Sequence, residues 1–264
     1  MKTSETSNLK ERLLRCELTI GSWTSFGFAP IGEMMARAGF DWLVIDMEHT
    51  GIGTAQQFQL IQVIELSGCI PLVRVGANDP LLIKRALDAG AHGIVVPMVN
   101  TPEDAEEAVS AAHYPPKGSR GAGLSRAQDY GLDFSGYKSR ADRNTVVIAQ
   151  IEHIRAVENL EAIMDVDGID AFIVGPYDLS GSLGRPGCWD DAAVESALAE
   201  VERIMRSGEK PGGFHVVHSN HEELRRRIDS GYRFLAYGDD MVFLAEKLKA
   251  EESHLKTLLP VQDQ

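Results

Sequence analysis

Four short stretches concentrate side chains able to do chemistry: DWLVIDMEH (41–49), PLVRV (71–75), AQIEH (149–153) and VGPYDLSG (174–181). In the first, an apolar run stops at Asp46, Glu48 and His49. Ionisable groups at the end of a buried strand are costly unless they are paired, bound to a metal or turned to a polar pocket. Arg74, flanked by Val73 and Val75, calls for an anionic partner. Glu152 and Asp178 are two carboxylates with no lysine between them. They suit a hard divalent cation such as Mg²⁺ or Mn²⁺, with water and substrate oxygens in the other positions; the alternative is a pair that caps the next helices. His49 is a candidate general base or a hydrogen-bonded core histidine. Asp88 either orients His49 or pairs with Lys84 one helical turn away. The stretch VGPYDLSGSLG lacks the lysine and spacing of a P-loop, so it reads as a tight turn whose backbone around Gly175, Pro176, Tyr177 and Asp178 faces a small carboxylate. His215 and His218 read as pocket lining or packing.

For these residues to meet, the chain must bring them to one place. Eight β-rich runs are legible, at 18–23, 42–47, 71–75, 93–99, 145–152, 171–175, 213–217 and 233–238. Several are apolar throughout, as parallel strands covered on both faces are, and the gaps between them hold return helices. In DPLLIKRALDAGAH, Asp79 stands as N-cap, Pro80 follows, Leu82, Ile83, Ala86 and Leu87 form one apolar face, and Gly90 ends the helix; TPEDAEEAVSAAHY repeats the scheme from Thr101. Eight β-then-α units favour a single (β/α)8 barrel over an open doubly wound sheet, with one domain spanning 1–264. In a barrel, the C-terminal strand ends converge on one mouth, which would gather His49, Arg74, Glu152 and Asp178. Residues 118–137 have no clear period and read as a long loop between units.

The composition is that of a globular protein, with 44% hydrophobic and 25% charged residues. A net charge of −13 argues against broad contact with nucleic acid. Three dispersed cysteines, Cys16, Cys69 and Cys188, fit neither a disulfide framework nor a zinc knuckle and read as reduced thiols. No run approaches a membrane span and the first residues are too polar for a secretory signal, so the cytoplasm is the expected location.

Taken together, GFDWLVIDMEH, PLVRVGANDPLLIKRALDAGAHGIVVPMV, YPPKGSRGAG, QIE and GPYDLSGSLG resemble the metal-dependent pyruvate aldolases of the HpcH/HpaI family, over most of residues 20–240. The resemblance implies reversible cleavage of 4-hydroxy-2-oxo acids, such as 2-keto-3-deoxy sugar acids or 4-hydroxy-2-oxoheptanedioate, to pyruvate and an aldehyde. It implies Glu152 and Asp178 as ligands of Mg²⁺ or Mn²⁺ (Co²⁺ also being possible), His49 as base, Arg74 as the stabiliser of the enolate, and Asp88 as the acid that raises the basicity of the histidine. Gln150 and the segment Gly175, Pro176, Tyr177 and Asp178 would hold the pyruvate end, Phe214 would lie near the pocket, and Asp46 would stand behind the metal ligands. The family pattern also implies a hexamer, a trimer of dimers exchanging the last helix, here DMVFLAEKLKAEESHL. Met47, Tyr177 and Phe214 depart from the usual residues, which bears on the aldehyde more than on the chemistry. None of the nine lysines falls at a C-terminal strand end, which favours the metal over an imine-forming lysine. The rivals are a citrate-lyase-like enzyme acting on a CoA thioester and a non-catalytic barrel binding a small acid. The first needs a basic cluster, and the only candidate, Arg225, Arg226 and Arg227, reads as an exposed helix face.

Overall fold

A computed structural model describes residues 8–258; the remaining ends of the expected 1–264 domain lie outside the described residues. Eight parallel strands close into a barrel in sequential order: β1 (Thr19–Thr24), β2 (Trp42–Asp46), β3 (Ile70–Arg74), β4 (Gly93–Val96), β5 (Val146–Ile151), β6 (Ala171–Val174), β7 (Gly212–Val216) and β8 (Phe234–Asp239). All eight overlap the runs read from the sequence, so the barrel is confirmed. Twelve α-helices accompany them among the described residues. A short α1 (Leu9–Leu14) precedes the barrel, followed by α2 (Ala29–Arg37), α3 (Thr54–Leu66), α4 (Pro80–Asp88), α5 (Pro102–Ala112) and α6 (Phe134–Asn144). Then come α7 (Ile154–Glu158), α8 (Leu160–Asp165), α9 (Pro176–Ser182), α10 (Ala192–Ser207), α11 (His221–Asp229) and α12 (Asp240–Leu258). None is long and apolar enough to cross a membrane.

The strands bury two separate cores. Trp23, Trp42, Val44, Ile70, Leu72, Val146, Ile148, Ile173 and Phe234 fill the barrel, and Leu9 and Leu13 of α1 join them. The opposite faces pack on the helices through residues such as Leu43, Val73, Ile94 and Val147. This is the period-two alternation of strands with both faces covered. Gly21 shows how tight the interior is: a Cβ there would lie 2.1 Å from the Trp42 indole.

The helix signals hold. Asp79 accepts from the N–H groups of Leu81 (2.8 Å) and Leu82 (3.0 Å), and Thr101 accepts from that of Asp104 at 3.2 Å. Leu82 departs from the expected face: Ile83, Ala86 and Leu87 are buried while Leu82 is exposed. The long loop also ends earlier than expected. A 3-10 segment occupies Arg126–Gly131, with Asp129 and Tyr130 in the left-handed region, and α6 begins at Phe134. Helix α6 buries only Ala141, so it leaves little apolar period in the sequence.

Candidate active site

Strand parity builds the mouth. In β2, Trp42 and Val44 face the barrel interior, so Asp46 continues the inward row; Ile70 and Leu72 lead in the same way to Arg74. In β5 the row runs Val146, Ile148, Gln150 and on to Glu152, and in β6 it runs Ala171, Ile173, Gly175.

Arg74 finds its anionic partner in Asp46. Nε donates to Oδ1 at 2.9 Å and Nη2 to Oδ2 at 2.7 Å, a bidentate fork, while Nη1 lies 3.3 Å from Glu48 Oε2. The guanidinium also sits 4.5 Å from the Trp23 ring centroid. Burial pushes the Asp46 carboxyl up, but Arg74 and the N–H groups of Glu48 and His49 outweigh it and hold the acid below its ordinary value. Burial raises Glu48, against the pull of Arg74. Asp46 is therefore the seat of Arg74.

Glu152 is only 3% exposed, yet all its hydrogen-bond donors are neutral. Oε1 accepts from the Met98 N–H at 2.7 Å and Oε2 from the Gln150 amide. Burial drives its pKa up and the charge of Asp178 adds to the rise, against Gln150, Met98 and the more distant Arg74. Met98 holds φ +54, a left-handed conformation that costs a non-glycine residue of order 1 kcal/mol and here aims its N–H at the carboxylate. Gly175 leaves the space this group needs, since a Cβ there would sit 3.1 Å from Glu152 Oε2. Asp178, in the first turn of α9, is exposed at the rim.

These residues fit a hard cation. The donor set is all oxygen, the buried carboxylate lacks a cation in contact, and Gln150 Oε1 is buried with no partner. Among the described residues no three His, Cys, Asp or Glu side chains converge at metal-binding spacing, so such a site would take two ligands of these types at most.

Other expected residues are placed differently. The His49 side chain is 60% exposed at the rim, with Nε2 3.8 Å from Glu48 Oε2. Asp88 is bonded neither to His49 nor to Lys84 among the described residues. It accepts from Arg120 Nη2 at 2.6 Å and Gln128 Nε2 at 3.3 Å, and so fastens the 118–137 segment to α4. Phe214 faces the helix layer, where the Arg227 guanidinium lies 3.8 Å from its ring centroid and Tyr232 packs edge-on. The inward residue of β7 is His215. Its ring is 5.1 Å from that of Trp23, its Nε2 meets the Gly238 carbonyl at 3.1 Å, and burial pushes its pKa down to about 3. Arg227 corrects another expectation: it is 6% exposed, paired with Glu223 at 2.7 Å, so the three arginines are not one exposed face.

Trp23 and Met98 were missed from sequence, whereas His215, read there as pocket lining or packing, is the inward residue of β7. Parity could have found Trp23, because it follows Gly21 by two. Nothing local announces the Met98 N–H.

A buried carboxylate with a second one beside it, facing a clamped arginine at the mouth of a closed barrel, defines a (β/α)8 protein equipped to stabilise an oxyanion. Residues 21–246 match the family described as HpcH/HpaI aldolase/citrate lyase, and the chain belongs to that family. It is 39% identical to a 2-dehydro-3,6-dideoxy-6-sulfogluconate aldolase of Pseudomonas putida, over 89% of this chain and 91% of that one. It is 38% identical to a 2-keto-3-deoxy-L-rhamnonate aldolase of Klebsiella pneumoniae, over 90% and 89%. A crystal structure of a family member from Burkholderia cenocepacia superposes with a TM-score of 0.88 at 34% identity, covering 94% of this chain and 98% of that one. The chain is accordingly a carbon–carbon lyase of the aldolase type.

Proposed function

We propose that the protein is a class II pyruvate aldolase that reversibly cleaves 2-keto-3-deoxy sugar acids or related 4-hydroxy-2-oxo acids, such as 4-hydroxy-2-oxoheptanedioate, to pyruvate and an aldehyde. The observation that carries this is Glu152, a buried carboxylate with neutral donors only, beside Asp178 and facing Arg74. Glu152 and Asp178 would hold Mg²⁺ or Mn²⁺, with Co²⁺ a third option, and such an ion supplies Lewis-acid polarisation of the 2-oxo oxygen.

The remaining work falls to the chain. Breaking the C3–C4 bond leaves negative charge on the C2 oxygen of the pyruvate fragment. Arg74, fixed by Asp46 and Glu48, brings positive charge there without reorganising. Gln150 gives one amide N–H to Glu152 and keeps the second for the pyruvate end. Gly175 and Pro176 lead into the first turn of α9, whose Tyr177 and Asp178 N–H groups have no intrahelical acceptor and receive the carboxylate. His49 takes the proton from the C4 hydroxyl. A CoA thioester is disfavoured because Arg226 and Arg227 are both tied to Glu223, which leaves Arg225 as the one arginine of the three without an ion pair among the described residues.

The test is deuterium exchange of the pyruvate methyl group in D2O, followed by NMR. Mn²⁺-dependent exchange that EDTA abolishes is expected; no exchange with metal present refutes the proposal. The protein is further assigned to the cytoplasm and to a hexamer, a trimer of dimers exchanging α12, because that helix leaves Leu244, Leu248 and Leu255 exposed. Light scattering at the mass of one protomer would refute that assembly.

A further inference from the structure

Between α10, α11 and β7 lies a cavity of about 490 Å³ that the catalytic assignment does not use. It starts beside the reaction centre. Tyr177, next to Asp178, forms one wall with Trp189, whose ring centroid lies 4.8 Å away. Phe214 and Val216, the residues of β7 that face the helix layer, form another.

A polar relay borders the cavity. A carboxylate only accepts, so His218 Nδ1 donates to Glu246 Oε1 at 3.0 Å, and the other ring nitrogen, Nε2, lies 3.4 Å from the Tyr177 hydroxyl. Whichever of the two carries the shared proton, the Tyr177 oxygen keeps a lone pair that accepts from a substrate hydroxyl.

The charges lean the same way. Arg227 is held by Glu223 and approached by Glu202, and Arg226 is held by Glu223, so neither arginine is free for an anion. Asp190 and Glu195 line the cavity and make no ion pair among the described residues. An anion entering this space would give up its hydration to face uncompensated carboxylates.

We infer that this cavity receives the distal end of the aldehyde portion of the substrate, and that it selects uncharged, hydroxylated chains over chains ending in an anion. The inference rests on the aldolase reading above and narrows its substrate class. Tyr177 acts as a positioning residue, oriented by His218 and Glu246.

The test compares two four-carbon aldehydes as partners of pyruvate with the Mn²⁺-loaded enzyme: erythrose, neutral and hydroxylated, and succinate semialdehyde, anionic at its far end. For the wild type, kcat/KM should favour erythrose at least about tenfold, a difference of about 1.4 kcal/mol. Tyr177→Phe should shrink that ratio about fivefold, the worth of one neutral hydrogen bond of about 1 kcal/mol, mainly by raising KM for erythrose. Asp190→Asn combined with Glu195→Gln should shrink it from the other side, by admitting the acid. Equal use of the two aldehydes, preference for the acid, or a Tyr177→Phe ratio equal to that of the wild type overturns the inference. Methyl exchange of pyruvate alone separates the two levels: exchange without discrimination overturns only the cavity assignment, and no exchange overturns both.

Discussion

Glu152→Gln should separate the stability of the fold from the capacity of the site. In the wild type the carboxylate sits 3% exposed with neutral donors, and burial raises its pKa, so its charge works against the folded state when no cation is bound. The glutamine can keep its oxygen on the Met98 N–H. Its amide then faces Gln150, whose side chain can flip so that Oε1 accepts it. The flip carries Gln150 Nε2 to the place where Oε1 had no partner, so one buried polar atom stays unpaired, as in the wild type, while the buried charge is gone. Removing that charge removes the desolvation cost that raises the Glu152 pKa. Without metal the variant should melt at or above the wild-type temperature. With Mn²⁺ at about 100 times Kd, the wild type should gain about 2.7 kcal/mol. At about 2–4 °C per kcal/mol for a protein of this size, that is a rise of about 5–10 °C. The variant should gain almost none of it. Thermal unfolding by circular dichroism, with and without Mn²⁺, reads both quantities. A variant that keeps the full Mn²⁺-dependent rise, or that melts several degrees lower without metal, refutes this account of Glu152.

Three further outcomes are expected. His49→Ala should lower turnover about 10²–10⁴-fold, as loss of a general base does, while the Mn²⁺-dependent rise in melting temperature persists; turnover within a factor of two of wild type removes His49 from proton transfer. Arg74→Lys keeps the charge but breaks the two-point grip on Asp46, so methyl exchange should fall about 10–100-fold, corresponding to about 1.5–3 kcal/mol for a charged hydrogen bond, and unaltered exchange excludes the fixed guanidinium. Asp240 accepts from the N–H groups of Ser25 and Phe26, and burial lifts its pKa from 3.8 to about 6. Between those values the folded state holds a proton that the unfolded state has released, so this group's contribution to stability falls as pH rises through the window. Relative to wild type, Asp240→Asn should gain up to about 3 kcal/mol in denaturation free energy between pH 4 and pH 7, and a pH-independent difference would contradict this.

The barrel was legible because each strand is short, apolar and followed by a capped helix, and because parallel strands buried on both faces carry few polar residues until their ends. Asp46, Arg74, Gln150 and Glu152 stand out for that reason. The same alternation, carried further, would have turned Phe214 outward and His215 inward. What local pattern does not encode is the choice among long-range partners. Asp88 has Lys84 a turn away, yet it takes Arg120 and Gln128 from a loop more than thirty residues on. Arg227 looks like its two neighbours until Phe214 and Glu223 claim it. The Asp239 and Asp240 contacts to Ser25 exist only because β8 closes on β1.

The central claim is that Glu152 and Asp178 together seat a divalent cation on which pyruvate is gripped. Diffraction from crystals grown with Mn²⁺ and pyruvate tests it most directly. The account predicts an anomalous peak about 2.0–2.2 Å from a carboxylate oxygen of each residue, with pyruvate between it and Arg74, a spacing set by hard-cation coordination. An occupied pyruvate with no anomalous peak there, or a peak bound to neither carboxylate, contradicts it.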